Sequence, residues 1–138
     1  MIRNCQNIYI EGEKIFLRPV TENDARGKWW TWLNDPNVVE MMDKGYEKNT
    51  VDAQISYFEK IDKSKNDAVF AICNKTDKTH IGTTGLHDIQ LNKATAQFGI
   101  ILGETKFHGR GIGTEAWKLM MEFGFENLKL GMIRTMIV

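Results

Sequence analysis

Neither sign of charge is in excess: eighteen Lys and Arg balance eighteen Asp and Glu. That excludes a protein held to nucleic acid by electrostatics, which needs a Lys/Arg surplus to displace counterions from phosphates. Cysteine is scarce, with Cys5 and Cys73 only, too few for a disulfide scaffold and without metal-ligand spacing. They read as two reduced thiols, and no metal site is expected. Proline is limited to Pro19 and Pro36, and the chain has no Ser/Gly-rich linker, repeat or low-complexity tract. It therefore reads as one continuous domain over 1–138. No run of 18 apolar residues is present, so no membrane span or membrane partner is expected. The opening MIRNCQNIYIEGEK lacks the apolar core and small-residue cleavage site of a secretory signal, which points to the cytoplasm. What remains is ordinary globular composition, 42% hydrophobic and 26% charged, enough for one core.

The apolar pattern changes period along the chain. Ile15 and Leu17 alternate within a strand from Lys14 to Arg18, which Pro19 ends. Thr21-Glu22-Asn23-Asp24 caps a helix reaching about Leu33, and Asn34-Asp35-Pro36 stops it. A second helix follows Thr50, with Val51, Ile55, Phe58 and Ile61 on one stripe. Strands over Ala68–Cys73, Thr79–Asp88 and Thr95–Leu102 are joined by short polar turns, so they pair antiparallel. A long amphipathic helix then runs to about Leu128, with Trp117, Met120, Met121, Gly124, Phe125 and Leu128 on its apolar stripe. Met132 to Val138 reads as a last strand, parallel to the preceding one through the crossover helix. The order β-α-α-β-β-β-α-β gives an α/β (α+β) domain: a mixed, mostly antiparallel sheet flanked by helices.

One segment carries chemistry. The strand Phe98-Gly99-Ile100-Ile101-Leu102 leads through Gly103-Glu104-Thr105-Lys106-Phe107-His108 to Gly109-Arg110-Gly111-Ile112-Gly113-Thr114. Three glycines at alternate positions allow backbone conformations that other residues avoid. The turn presents unpaired N–H groups at a helix N-terminus, where the dipole favours an anion, and Arg110 adds a positive side chain. A phosphate or pyrophosphate site follows. The spacing fits neither G-x-G-x-x-G nor the Walker loop. A glycine turn that merely joins strand to helix would account for one glycine more easily than for three.

The stretch from Ala96 to Leu128 resembles motif A of the GNAT superfamily of acetyl-CoA-dependent N-acetyltransferases. In that family a strand is followed by [QR]-x-x-G-x-[GA] opening a helix. His108 stands where Gln or Arg is usual, Gly111 and Gly113 occupy the two small positions, and Thr114-Glu115-Ala116 continues the helix. Ile15-Phe16-Leu17-Arg18-Pro19 and Trp32-Leu33-Asn34-Asp35-Pro36 look like the branch acting on ribosomal-protein N-termini, polyamines and amino sugars. The resemblance implies a GNAT-type fold with acetyl-CoA as cosubstrate. Its pyrophosphate would lie on His108, Gly109, Arg110, Gly111, Ile112, Gly113 and Thr114. Its pantetheine arm would follow the backbone of Ile100, Ile101 and Leu102, whose side chains would be core. Relatives continue with a further helix and two strands, so the domain is expected to be C-terminally truncated. A last strand without its neighbour would then favour a homodimer or instability.

The implied reaction is direct attack of a primary amine, on a small molecule or a peptide N-terminus, on the thioester. It needs a proton acceptor, an oxyanion donor and a proton for the thiolate. The catalytic residues are not fixed by the sequence. His87 could titrate near neutrality, whereas Gln97, standing where many relatives carry a carboxylate, cannot accept a proton. His80 reads as a strand-start residue away from the chemistry. Of Trp29, Trp30 and Trp32, successive side chains diverge by 100°, so one or two, Trp32 foremost, would line an acceptor groove. Glu40, Asp43 and Glu47 could attract a cationic amine. The competing reading is a non-catalytic acyl-CoA-binding or interaction module.

Overall fold

The computed structural model describes residues 1–2, 5–39 and 48–135. Glu40, Asp43 and Glu47, and the last strand's Met136, Ile137 and Val138, lie outside them. A six-stranded sheet runs in the order β1-β2-β3-β4-β5-β6: β1 (Ile10–Glu11), β2 (Ile15–Pro19), β3 (Ala68–Asn74), β4 (His80–Gln90), β5 (Thr95–Leu102) and β6 (Met132–Thr135). The first four pairings are antiparallel. The crossover before β6 makes β5 and β6 parallel, Thr95 opposite Met132 through Phe98 opposite Thr135, as the pattern predicts. The strand predicted from Thr79 to Asp88 runs two residues further.

Two register breaks decide which side chains share a face. The first lies between Ile72 and Cys73, where Cys73 opposes His80 while Ile72 opposes Gly82. The extra residue, Ile81, brings His80 to the same face as Thr83, Gly85 and His87. The second falls between His87 and Gln90, where Asp88 takes φ 49°, a left-handed conformation that Asp tolerates. It ends regular pairing just beyond His87.

Helix α1 spans 22–32 in three pieces, Glu22–Asp24, Ala25–Trp29 and Trp30–Trp32. Thr21 caps it: its hydroxyl accepts from the Asp24 N–H and the Asp24 carboxylate accepts from the Thr21 N–H at 2.8 Å, a reciprocal cap. The predicted helix is not continuous, because Gly27 leaves helical geometry at ψ −120°. Pro36 both ends that run and begins a short helix, α2 (Pro36–Val39), its missing N–H costing nothing at a first turn. Helix α3 (Val51–Lys63) starts from Thr50, whose hydroxyl accepts from the Ala53 N–H. Helix α4 (Ile112–Glu122) continues as a wider turn over Phe123–Asn127.

The helices cover opposite faces. Phe123 of α4 meets Phe70 edge-on at 5.5 Å, on the face of Leu86 and Phe98. On the other face Trp32 of α1 meets the His80 ring at 4.8 Å, and α3 packs on α1 through Tyr57 against Trp29 at 5.9 Å. Both Cys5 and Cys73 are buried. The predicted α4 stripe is too wide: Trp117 and Phe125 are 41% and 44% exposed. The inward line is Ile112, Ala116, Met120 and Phe123, at spacings of four, four and three, and Trp117 stands 100° off it.

Candidate active site

The glycine segment is a left-handed turn feeding a helix. Gly109 and Gly111 have φ of 76° and 78°, a region costing other L-residues about 1–2 kcal/mol. Gly113 has no such φ and lies within the first turn of α4, so conformational freedom is needed at Gly109 and Gly111 rather than at all three. Gly111 is the N-cap, and no side chain caps α4 there. The N–H groups of Ile112, Gly113 and Thr114 thus stand at the positive end of the helix dipole without intrahelical partners. A Cβ at Gly109 would meet nothing within 4 Å, so the space beside the turn is open. Ile112 is buried beneath the turn, while Arg110 is exposed, its guanidinium carbon 5.8 Å from the Phe107 ring centre.

Two lysines that the motif does not announce join it. Lys14 donates through Nζ to the Arg110 carbonyl at 3.2 Å. Lys14, Lys75 and Arg110, with Glu13, Asn74, Thr76, Phe107 and Ile112, line an open cavity of about 660 Å³. Three cations against one carboxylate suit an anion. Glu115 is turned away from that cavity's chemistry and serves the fold. Its carboxylate accepts from the Lys14 N–H at 3.0 Å and from the Ile15 N–H at 2.9 Å, fastening β2 to the first turn of α4.

Beside this turn, β5 changes partners. Gly99–Leu102 remain bonded to β4, with Gly99 opposite Gly85 and Leu102 opposite Gly82. The described ladder to β6 stops at Phe98, leaving one backbone edge of Gly99–Leu102 without a strand partner among the described residues. Ile100, Ile101 and Leu102 are half-buried rather than core. The Ile100 side chain reaches to 4.0 Å from the Cβ position of Gly113. His108 closes the other end, its Nε2 2.7 Å from the Leu102 carbonyl. A carbonyl only accepts, so Nε2 carries the proton.

On the opposite face, Trp32 is the floor of a groove. Lys28, Thr31, Trp32, Asn34, Asp35, Gly103, Glu104 and Thr105 line about 510 Å³. Trp32 is buried and sits so close to Gly103 that any side chain there would collide with the indole. Lys28 pairs with Glu104 at 3.0 Å. Behind Trp32, Arg18 holds Asp24 with two bonds of 2.8 Å, and His80 Nδ1 lies 3.5 Å from the same carboxylate. Burial alone would raise Asp24, but Arg18, His80 and the Thr21 N–H together hold it below the usual carboxylate range. Burial lowers His80, outweighing Asp24. His80 begins β4, as read from the sequence, and its side chain is enclosed.

His87 projects from β4 beside Gly99 of β5. Its Cα partner is Gln97, so the two share a face, as do Thr83 and Gly99. The His87 ring lies over Gly99, with Nε2 3.6 Å from that glycine's Cβ position. Its Nδ1 is 2.8 Å from Asp67 Oδ1. Thr83 Oγ1 is buried without a hydrogen-bond partner among the described residues. Asp67 escaped sequence reasoning because it is 20 residues away, and only the β3–β4 pairing closes that distance. No group of three or more metal-ligating side chains is found among the described residues, nor any helix long and apolar enough to cross a membrane.

Residues 14–138 match the family model described as an acetyltransferase (GNAT) domain, and the chain belongs to that family. Solved structures agree in fold. A spermidine N-acetyltransferase from Vibrio cholerae in complex with CoA and spermine superposes with a TM-score of 0.81 at 19% identity, covering 91% of this chain and 72% of the other. A GNAT-family acetyltransferase from Bacillus anthracis gives 0.75 at 19% identity over 93% and 72%. A domain from Methanocaldococcus jannaschii gives 0.75 at 21% identity over 92% and 79%. Against these and related structures the chain spans 57–79% of the partner's length.

Proposed function

We propose that this member of the GNAT acetyltransferase family moves an acetyl group from acetyl-CoA to a primary amine, on a small molecule such as a polyamine or on a peptide N-terminus. The observation that carries the reading is the Gly109–Gly111 left-handed turn and uncapped α4 N-terminus beside a β5 edge without a partner among the described residues. The CoA complex of a similar fold supports the donor. The cradle suits the donor's anionic end, because the unpaired N–H groups opening α4 lie beside Lys14, Lys75 and Arg110. Bound acetyl-CoA supplies a thioester, whose C–S bond breaks as the amine N–C bond forms.

The chain's own groups do the rest. Backbone N–H groups of Gly99–Leu102 hold the extended arm and donate to the developing oxyanion. Thr83 Oγ1 offers one more donor on the neighbouring strand. The groove above Trp32, with Asp35 and Glu104 on its walls, gives a cationic amine a carboxylate-bearing entry. The spermidine acetyltransferase likeness favours a polyamine in the test panel.

Calorimetry with acetyl-CoA and with desulfo-CoA, followed by turnover on polyamines, amino sugars and short peptides, tests the reading. Micromolar binding with acetylated product is expected. Binding with no turnover on any amine would make the chain a non-catalytic acyl-CoA module, and absence of binding would overturn the donor site.

A further inference from the structure

We infer that Asp67 and His87 form a positioned proton-accepting dyad, in which His87 Nε2 takes the proton of the attacking amine and Asp67 holds the imidazole in the tautomer that can. This rests on the acetyl-transfer reading above and names the base that reading lacks.

The geometry comes from three separate features. Asp67 Oδ1 sits 2.8 Å from His87 Nδ1. A carboxylate only accepts, so Nδ1 carries the proton and Nε2 keeps its lone pair. The carboxylate is itself fixed: Ser64 donates to its other oxygen, Oδ2, at 2.5 Å, and the Asp67 carbonyl accepts from the Ile2 N–H at 2.7 Å. Next to it, Asn66 locks this loop to β4. Its carbonyl accepts from the Ile89 N–H at 2.8 Å, and its side-chain amide donates to the Ile89 carbonyl at 2.9 Å. The β4 register break beyond His87 lies between these anchors.

Nε2 then points where a reacting atom belongs. It lies over Gly99, the first β5 residue beyond the described β6 ladder. Having no side chain, Gly99 leaves the space beside Nε2 clear, and the His87 side chain is 32% exposed, open to an incoming amine. Gly99 and Leu102 are three residues apart, about 10 Å along a strand. The dyad thus marks one end of the Gly99–Leu102 segment, and His108 with the glycine turn marks the other. The fold sets the dyad and the phosphate cradle at opposite ends of one extended track.

The step balances. The amine lone pair forms the N–C bond, its proton passes to His87 Nε2, the C–S bond breaks, and the imidazolium returns the proton to the departing thiolate. The products are an N-acetyl amide and coenzyme A thiol. Groups facing His87 are Asp67 from the loop before β3 and Gln97 of β5; Tyr57 of α3 lies near enough to Asp67 to feel its charge. Arg134 of β6 lies on the same face beyond Gln97.

Three variants and one spectrum test it. In wild-type protein, ¹⁵N resonances of His87 should report the Nδ1–H tautomer. H87Q should bind acetyl-CoA as wild type does and lose on the order of 10²–10⁴-fold in kcat/KM for the amine. D67N keeps an oxygen for Ser64 but turns an amide N–H toward Nδ1, forcing the proton onto Nε2; it should lose at least tenfold at an unchanged melting temperature. D67E should recover part of the rate, which a purely structural role would not produce. An Nε2–H tautomer in wild type, or an H87Q variant with unchanged kcat/KM and normal acetyl-CoA binding, would overturn the dyad while leaving acetyl transfer standing. A wild type that binds acetyl-CoA and acetylates no amine would overturn both.

Discussion

Single residues divide the glycine turn into positions that need glycine and one that does not. Gly111 has φ 78°, which a β-branched residue resists strongly. Gly111→Val should lower acetyl-CoA affinity more than tenfold, since a strain of about 1–2 kcal/mol is relieved only by reshaping the turn. Gly113 sits in the first turn of α4, and its Cβ position is 4.0 Å from the nearest other side chain, Ile100. Gly113→Ala removes backbone entropy from the unfolded chain and should stabilise by about 0.5–1 kcal/mol. Its affinity should fall less than tenfold. Calorimetry with acetyl-CoA and thermal melts read both, and equal losses at the two positions would mean that the turn's conformation is not what binds. Arg110 is exposed, so Arg110→Ala should cost on the order of 1 kcal/mol of binding.

Between elements, the contact that matters most for the site is Glu115 on β2. Its carboxylate accepts from two successive backbone N–H groups, those of Lys14 and Ile15, and lies in the first turn of α4, where a negative charge is favoured. Glu115→Ala leaves the partly buried Ile15 N–H without its acceptor, while the exposed Lys14 N–H turns to water, and should cost about 1 kcal/mol. Glu115→Gln, which keeps an acceptor oxygen, should cost less. Denaturant unfolding measures the difference, and an Ala variant as stable as wild type would show the bridge to be idle. The strands were legible in the sequence because apolar alternation and short polar turns are local signals. The two-residue β1 was not, since Ile10 and Glu11 become a strand only by pairing with Leu17 and Phe16. The break at Gly27 and the outward turn of Trp117 were hidden as well, because an apolar stripe does not reveal how wide a face its partner covers. At the site, the glycine turn was written in contiguous residues. Asp67, Lys14 and Lys75 were not, since a residue acquires those roles only when distant strands are laid side by side.

Over the whole molecule, two buried groups tie stability to pH in separate windows. Asp24 is held below the usual carboxylate range in the fold, so the unfolded chain binds its proton more readily. Its contribution is complete above about pH 4 and is lost as pH falls further. His80 is also lowered in the fold, chiefly by burial, so between its folded value and about 6.5 the unfolded chain again binds more protons. Stability from His80 is therefore complete above about pH 6.5 and declines as pH drops below it. His80 has a buried Nε2 without a hydrogen-bond partner among the described residues and packs on Trp32 at 4.8 Å, so charging it places a cationic ring behind the floor of the amine groove. Melting temperature should thus fall in two steps, one beginning near pH 6.5 and a second below about pH 4. His80→Gln should flatten the first step and leave the second. Asp24→Asn should flatten the second and lower stability above about pH 4 by about 3–5 kcal/mol, because Arg18 then stays partly buried without its charge partner and with at most one of its two bonds. Melts of the three proteins from about pH 8 to about pH 3, spanning both windows, decide it. A first step that persists in His80→Gln would assign it to another group and leave His80 a packing residue under Trp32.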